Sequence, residues 1–199
     1  MCGCSYKISK INSHPHFNPQ QFSVIHNKIN NWQLRGKISW HEKRQNKSTI
    51  CYLNWQKNNS KSTITLYSAL NMQNLVIETI ENHNNRQNNI KIISKNGKNY
   101  HNVNHKTAMN SETVALQQAI ESLPLNLNYL TCWLLGMPDL SKKYILINDG
   151  FKQDNWTVTY SDYINYQRTN VQNLFMPKKI VIHNSNMVIK IMVTNFSSQ

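Results

Sequence analysis

The 199-residue sequence predicts a mainly β fold with helices: an antiparallel sheet of about nine to eleven strands, accompanied by three helices. Three observations carry that expectation. Apolar and polar residues alternate in short runs through most of the chain, the pattern of strands that bury one face. Turn signals separate the runs closely, and Asn96-Gly97, between Ile90–Ile93 and Asn99–Val103, is the strongest hairpin signal among them. One stretch departs from the alternation. Leu123 to Pro138 is the most apolar piece of an otherwise Asn- and Lys-rich chain, and from Leu127 it has helical rather than strand spacing.

Residues 1–17 form a terminal segment, of which Ser5 to Phe17, polar and carrying two histidines and a proline, reads as a tether. Residues 18–199 read as a single domain long enough to bury a core. Asn18-Pro19 opens a helix, with Asn as cap and Pro at the first helical position, and Phe22, Ile25, His26 and Ile29 line one face of it. Strands follow at Gln33–Trp40, Thr49–Gln56, Thr63–Tyr67 and Asn74–Glu81. Beyond the Asn96-Gly97 hairpin, a second helix is expected over Ser111–Leu123, with Ser111 capping it and Glu112 near its positive end. In the third, Leu127, Leu130 and Leu134 recur at helical spacing with Trp133 beside them; Gly136 stops the helix and Pro138 prevents continuation. Strands resume at Lys143–Ile147, and Asp149-Gly150 turns into Phe151–Tyr160, where Trp156, Val158 and Tyr160 share a face. Pro177–His183 and Met187–Asn195 form a last hairpin across Asn184-Ser185-Asn186. Hairpin connections throughout make the sheet antiparallel. A greasy helix among amphipathic strands suggests a plug on the hollow face of a sheet, which either builds a core or guards a pocket for an apolar ligand.

Lys and Arg outnumber Asp and Glu by 22 to 9, for a net charge of +13. Such a balance invites anionic partners. The 31 asparagines, however, point to the Lys-with-Asn bias of an AT-rich coding sequence. The basic residues are also scattered singly, with no aromatic-studded basic motif, so a nucleic-acid partner is not expected. No run of about twenty apolar residues exists to span a membrane as a helix. At the start, Gly3-Cys4 resembles the tail of a bacterial lipobox, where a diacylglycerol is attached to the cysteine. The residues before Cys4 leave no room for a complete signal peptide; one reading is a coding start placed too far downstream, or a leader already removed, and the other is two adventitious cysteines at a frayed terminus.

Catalytic signals are thin. His101 and His105 lie four apart, but in a strand-and-loop region and without a third ligand at recognisable spacing, so no metal site is expected. Gly36-Lys37 and Gly97-Lys98 lack the preceding Gly of a phosphate-binding loop, and no nucleophile elbow or paired carboxylates stand out. Cys51 and Cys132 could pair if the third helix covers the Thr49–Gln56 strand; two buried free thiols are the expected state. No enzyme is indicated.

An ordered set of short motifs completes the reading. Trp32-x-x-Arg35-Gly36-Lys37-Ile38 and Leu53-Asn54-Trp55-Gln56 come first, then Leu66-x-x-Ala69-Leu70-Asn71 and Leu123-Pro124-Leu125. Leu130-x-x-Trp133-Leu134-Leu135-Gly136-x-Pro138, Trp156-Thr157-Val158-Thr159-Tyr160 and Met176-Pro177-Lys178-Lys179-Ile180 follow. In this order and spacing, from about Trp32 to Phe196, the chain resembles the LolB family of outer-membrane lipoprotein receptors of Gram-negative bacteria. The resemblance implies an open, half-closed antiparallel β-barrel with lid helices over an apolar cavity. It implies a receptor that accepts lipoproteins from a LolA-like periplasmic carrier and inserts them into the inner leaflet of the outer membrane, without nucleotide hydrolysis. No cofactor is expected beyond a covalent diacylglycerol and fatty acid on Cys4, and a monomer is expected.

Under that reading, Trp55, Trp133, Leu130, Leu134, Trp156 and Tyr160 line the acyl-chain cavity; the other reading of the aromatics is an ordinary filled core. The loop after the third strand carries a protruding Leu in this family, in a Pro-Leu-Gly setting, and here it reads Ser68-Ala69-Leu70-Asn71-Met72. Asn is the best substitute for Gly where a turn needs a left-handed residue, and Met72 adds a second flexible apolar side chain. Leu70 is expected to be exposed as the membrane-insertion residue, with Met72 beside it; the alternative puts Leu70 in the core. A soluble periplasmic carrier of lipids or apolar molecules is the alternative function.

Overall fold

The computed structural model describes residues 31–67, 74–80, 89–94, 99–100, 127–168 and 171–198. In chain order these form β1 (Asn31–Glu42), β2 (Lys47–Asn58), β3 (Lys61–Tyr67), β4 (Asn74–Ile80), β5 (Asn89–Ser94) and β6 (Asn99–Tyr100). Then come one helix, α1 (Leu127–Leu134), and β7 (Tyr144–Ile147), β8 (Gly150–Gln153), β9 (Trp156–Arg168), β10 (Val171–His183) and β11 (Met187–Ser198). All the strands join one 11-stranded sheet in the order β6-β5-β4-β3-β2-β1-β11-β10-β9-β8-β7. Every pairing is antiparallel. Among the described residues β6 and β7 are the two edges, so the sheet they form is open and not a closed barrel.

Alternation explains most strands directly. In β1 every second residue is buried: Trp32, Leu34, Gly36, Ile38 and Trp40. In β2 the buried set is Cys51, Leu53, Trp55 and Lys57, and in β3 it is Ser62, Ile64 and Leu66. The strands outrun their apolar patterns because polar ends can still pair: Asn31 faces Asn58, and Glu42 faces Lys47. Asn59, held at φ 52°, makes the turn into β3, and its N–H donates to the Asn31 side chain at 3.0 Å.

The structure corrects two boundaries. The expected strand Phe151–Tyr160 is cut in two, because Asp154 adopts φ 51° and, with Asn155, turns β8 back into β9. Asp and Asn tolerate that left-handed conformation, so the polar pair is a hairpin rather than a solvated strand interior. The strand expected to begin at Pro177 begins at Val171 instead, and β9 continues to Arg168 to pair with it. β10 pairs with β11 only from Lys179 onward, which leaves room for a residue without an N–H at 177.

At the centre of the sheet, β1 pairs with β11 with a register shift between Arg35 and Gly36. A Cβ at Gly36 would lie 2.2 Å from the Met192 carbonyl oxygen, so only glycine lets the two backbones approach at this irregularity. The helix matches its expectation. It ends at Leu134, Gly136 takes φ 85°, and the Gly136 and Met137 N–H groups close on the Trp133 and Cys132 carbonyls at 3.1 and 3.2 Å. The helices expected over residues 19–29 and 111–123 lie outside the described residues.

The inward faces of both wings and the helix form one apolar cluster. Leu34, Leu53, Ile64 and Ile77 come from one side, Phe151, Val158, Ile182 and Ile189 from the other, and Leu134 and Leu135 from the helix and its exit. Each such large side chain contributes about 1.5–3 kcal/mol on removal from water.

Candidate functional site: an apolar interior with two kinds of wall

On the β8–β9 side the interior is fastened by polar bonds. Trp133 is fully buried, with Tyr129, Phe151 and Trp156 around it at ring-centroid distances of 5.7, 6.1 and 6.4 Å. Its Nε1–H donates to Oε1 of Gln153 at 3.0 Å. The same oxygen accepts the Asp139 N–H at 3.0 Å, and Gln153 Nε2 donates to the Asp139 carbonyl at 2.8 Å. Gln153 is 1% exposed, so one buried amide ties the helix and the chain leaving it to β8. Tyr160 adds a fourth bond, its hydroxyl donating to the Trp133 carbonyl at 2.9 Å. Burial pushes the Tyr160 phenol well above its ordinary pKa, so it stays a donor. Leu130 and Leu134 are buried beside these groups.

The β1–β4 side is different. Trp55 is 1% exposed and Trp32 is 3% exposed, with ring centroids 6.0 Å apart and Trp32 stacked on Phe196 at 6.1 Å. The Nε1 atoms of both indoles are buried and have no hydrogen-bond partner among the described residues. Strand register places Trp32 beside Lys57, Lys57 beside Ser62 and Ser62 beside Thr79. All four side chains are buried, which makes a polar row across one end of the inward face. The next row inward is Leu34, Trp55, Ile64 and Ile77, apolar but for the Trp55 N–H.

Of the expected cavity residues, Trp55, Trp133, Leu130, Leu134, Trp156 and Tyr160 are all buried in the common cluster. Trp133, Trp156 and Tyr160 gather on the fastened side, and Trp55 stands across the sheet from them. Cys4, Leu70 and Met72 lie outside the described residues, as do His101 and His105. The sequence reading missed Trp32, Gln153 and the polar row. Trp32 had a signal, since it alternates with Leu34 and Ile38; Lys57, Ser62 and Thr79 continue the alternation of their strands, but as polar residues they do not mark the buried face. No disulfide joins Cys51 and Cys132; Cys51 is buried, whereas Cys132 is half-buried and not fully buried as expected, and burial raises Cys51 to about 11, which keeps it protonated. Among the described residues no group of three or more His, Cys, Asp or Glu could hold a metal ion, and no helix is long and apolar enough to cross a membrane.

An open antiparallel sheet and a short apolar helix share one buried apolar cluster, and Trp32, Trp40, Trp55, Trp133 and Trp156 all belong to it. Residues 30–196 match the model of the family described as outer membrane lipoprotein LolB. The chain belongs to the LolB family. Its members are outer-membrane lipoproteins with a lipoprotein-receptor role, acting with LolA in the Lol pathway, and the family is one of transport proteins rather than enzymes. No curated protein sequence matches the chain.

Proposed function

We propose that this protein is a lipid-anchored receptor on the periplasmic face of the outer membrane of a Gram-negative bacterium. It takes lipoproteins from a LolA-like carrier, shelters their acyl chains in its apolar interior, and releases them into the inner leaflet. The family match over residues 30–196, coinciding with the aromatic inward face, is the observation that carries this reading. Each acyl CH₂ exposed to water costs about 0.8 kcal/mol. A chain leaving the carrier for Trp55, Trp133, Leu130, Leu134, Trp156 and Tyr160, and then for the bilayer, can therefore move downhill without nucleotide hydrolysis. The helix α1 acts as a lid, because an open apolar cleft would invite aggregation.

Residues 1–17 serve as tether and 18–199 as the single, monomeric working domain. Cys4 carries the diacylglycerol and fatty acid; several chains give stable anchoring where one would be marginal. Leu70, with Met72 beside it, enters the acyl–headgroup boundary and brings the interior to the membrane. The test is a transfer assay from carrier-bound lipoprotein to receptor to liposomes. Leu70→Glu leaves acceptance from the carrier and thermal stability nearly intact, and insertion into liposomes falls sharply. Unchanged insertion, or unfolding of the variant, overturns the role of Leu70. Failure of the unaltered protein to accept cargo at all overturns the receptor reading.

A further inference from the structure

Buried N–H groups in folded proteins are nearly always paired, so two orphaned indole donors on one inward face ask for an acceptor. Trp32 and Trp55 sit on neighbouring strands, each more than nine-tenths buried, with neither Nε1 bonded among the described residues. Their surroundings are graded. At the end of the sheet marked by the β2–β3 turn, the inward row is Trp32, Lys57, Ser62 and Thr79. One inward position further along each strand, about 7 Å away, it becomes Leu34, Trp55, Ile64 and Ile77. Leu53 and Leu66 continue the apolar character beyond that. A surface that is polar at one end and hydrocarbon along its length matches a molecule of the same pattern, an acyl chain with an oxygen-bearing head.

We propose that Trp32 and Trp55 are an ester-recognition site, their indole N–H groups donating to the carbonyl oxygens of a glyceryl diester whose acyl chains run along β1–β4 toward Leu53 and Leu66. The inference rests on the receptor reading and deepens it: the interior then fixes which end of the cargo lies where, rather than dissolving acyl chains without register. Indole donors suit this task, since they bond an ester oxygen while the ring lies against the chain.

The test compares ligands that differ only in the acceptor. A diacylglyceryl-cysteinyl lipopeptide, a short-chain diacyl phospholipid and the dialkyl-ether analogue of each are titrated into the whole protein. The unaltered protein binds each diester about tenfold tighter than its diether, the weight of a buried hydrogen bond. The Trp32→Phe, Trp55→Phe double variant binds the diesters only as well as the diethers, while its diether affinity is unchanged. An ester preference with both scaffolds assigns the site to any diacylglyceride; a preference with the lipopeptide alone assigns it to lipoprotein cargo; either supports the site. Equal affinity for diester and diether in the unaltered protein, or a preference that survives in the double variant, overturns it. In the unaltered protein, the indole N–H resonances of Trp32 and Trp55 shift with diester and not with diether, which tests the site even where the double variant fails to fold. Binding of neither ligand instead overturns the receptor reading beneath it.

Discussion

On the β8–β9 side, a tryptophan N–H, a backbone N–H and a backbone carbonyl all converge on Gln153. On the β1–β2 side, two tryptophans equally buried have indole N–H groups without a partner among the described residues. The same side-chain chemistry thus serves two ends within one apolar cluster. On the first side the polar groups satisfy one another within the chain; on the second the two donors are left for the ester oxygens proposed above. Neither wall is distinguishable from the other by apolar burial alone.

The largest test of this contrast is Gln153→Leu. It orphans the N–H groups of Trp133 and Asp139 and leaves the Asp139 carbonyl with only the Lys142 N–H, and is expected to lower unfolding free energy by about 2–4 kcal/mol, read as a shift in denaturant midpoint. A shift under about 1 kcal/mol would mean the fastening is incidental. A middle-sized effect comes from alkali. Burial raises Cys51 to about 11 from an ordinary 9.0, so between those values the folded state holds a proton that the unfolded chain releases. Stability is then full below pH 9 and declines as pH rises toward 11, by about 2 kcal/mol, with Tyr160 adding loss of the same sign at higher pH. Urea midpoints at pH 8 and pH 11 measure it. Cys51→Ala should flatten the slope, and an unaltered slope would move the alkaline loss to the Tyr160 side. The smallest effect is expected from Trp55→Phe. Removing an unpaired buried donor offsets the small void left behind, so thermal stability stays within about 1 kcal/mol of the parent. A loss as large as that of Gln153→Leu would show that the Trp55 N–H is paired after all and that the two walls are alike.

Much of this architecture is written in local patterns. Leu34, Ile38 and Trp40 alternate and become β1; Trp156, Val158 and Tyr160 share a face as their spacing demands; Gly136 ends the helix because only a left-handed residue closes it there. What was not legible depends on pairing between distant residues. Gln153 looks like a polar residue in a strand until Trp133 and Asp139 are brought to it from 20 and 14 positions away. Lys57, Ser62 and Thr79 share the inward face with apolar residues of their own strands, and only the register carried through the β2–β3 turn brings the three polar side chains into one row. The Asp154-Asn155 turn was missed for a different reason. Apolar residues at 151, 156, 158 and 160 continue on both sides of it, and a two-residue reversal leaves no gap in the pattern.

The β1–β11 pairing has a consequence for how the molecule is made. Leu34 has Phe196 as its neighbour, and Trp32 has Ser198, so the middle of the sheet is assembled from its most widely separated strands. β1 through β6 can meander together early, and β7 through β11 can do so later, but the seam between the two wings waits for the last strand to arrive. Closing so long a loop is entropically slow, and folds dominated by such non-local contacts reach the native state in milliseconds to seconds. Until β11 arrives, β1 has one paired edge and one bare one, flanked by the tryptophans of the interior. During that interval the nascent protein itself is an exposed apolar surface in need of shelter, the same condition its proposed cargo is in.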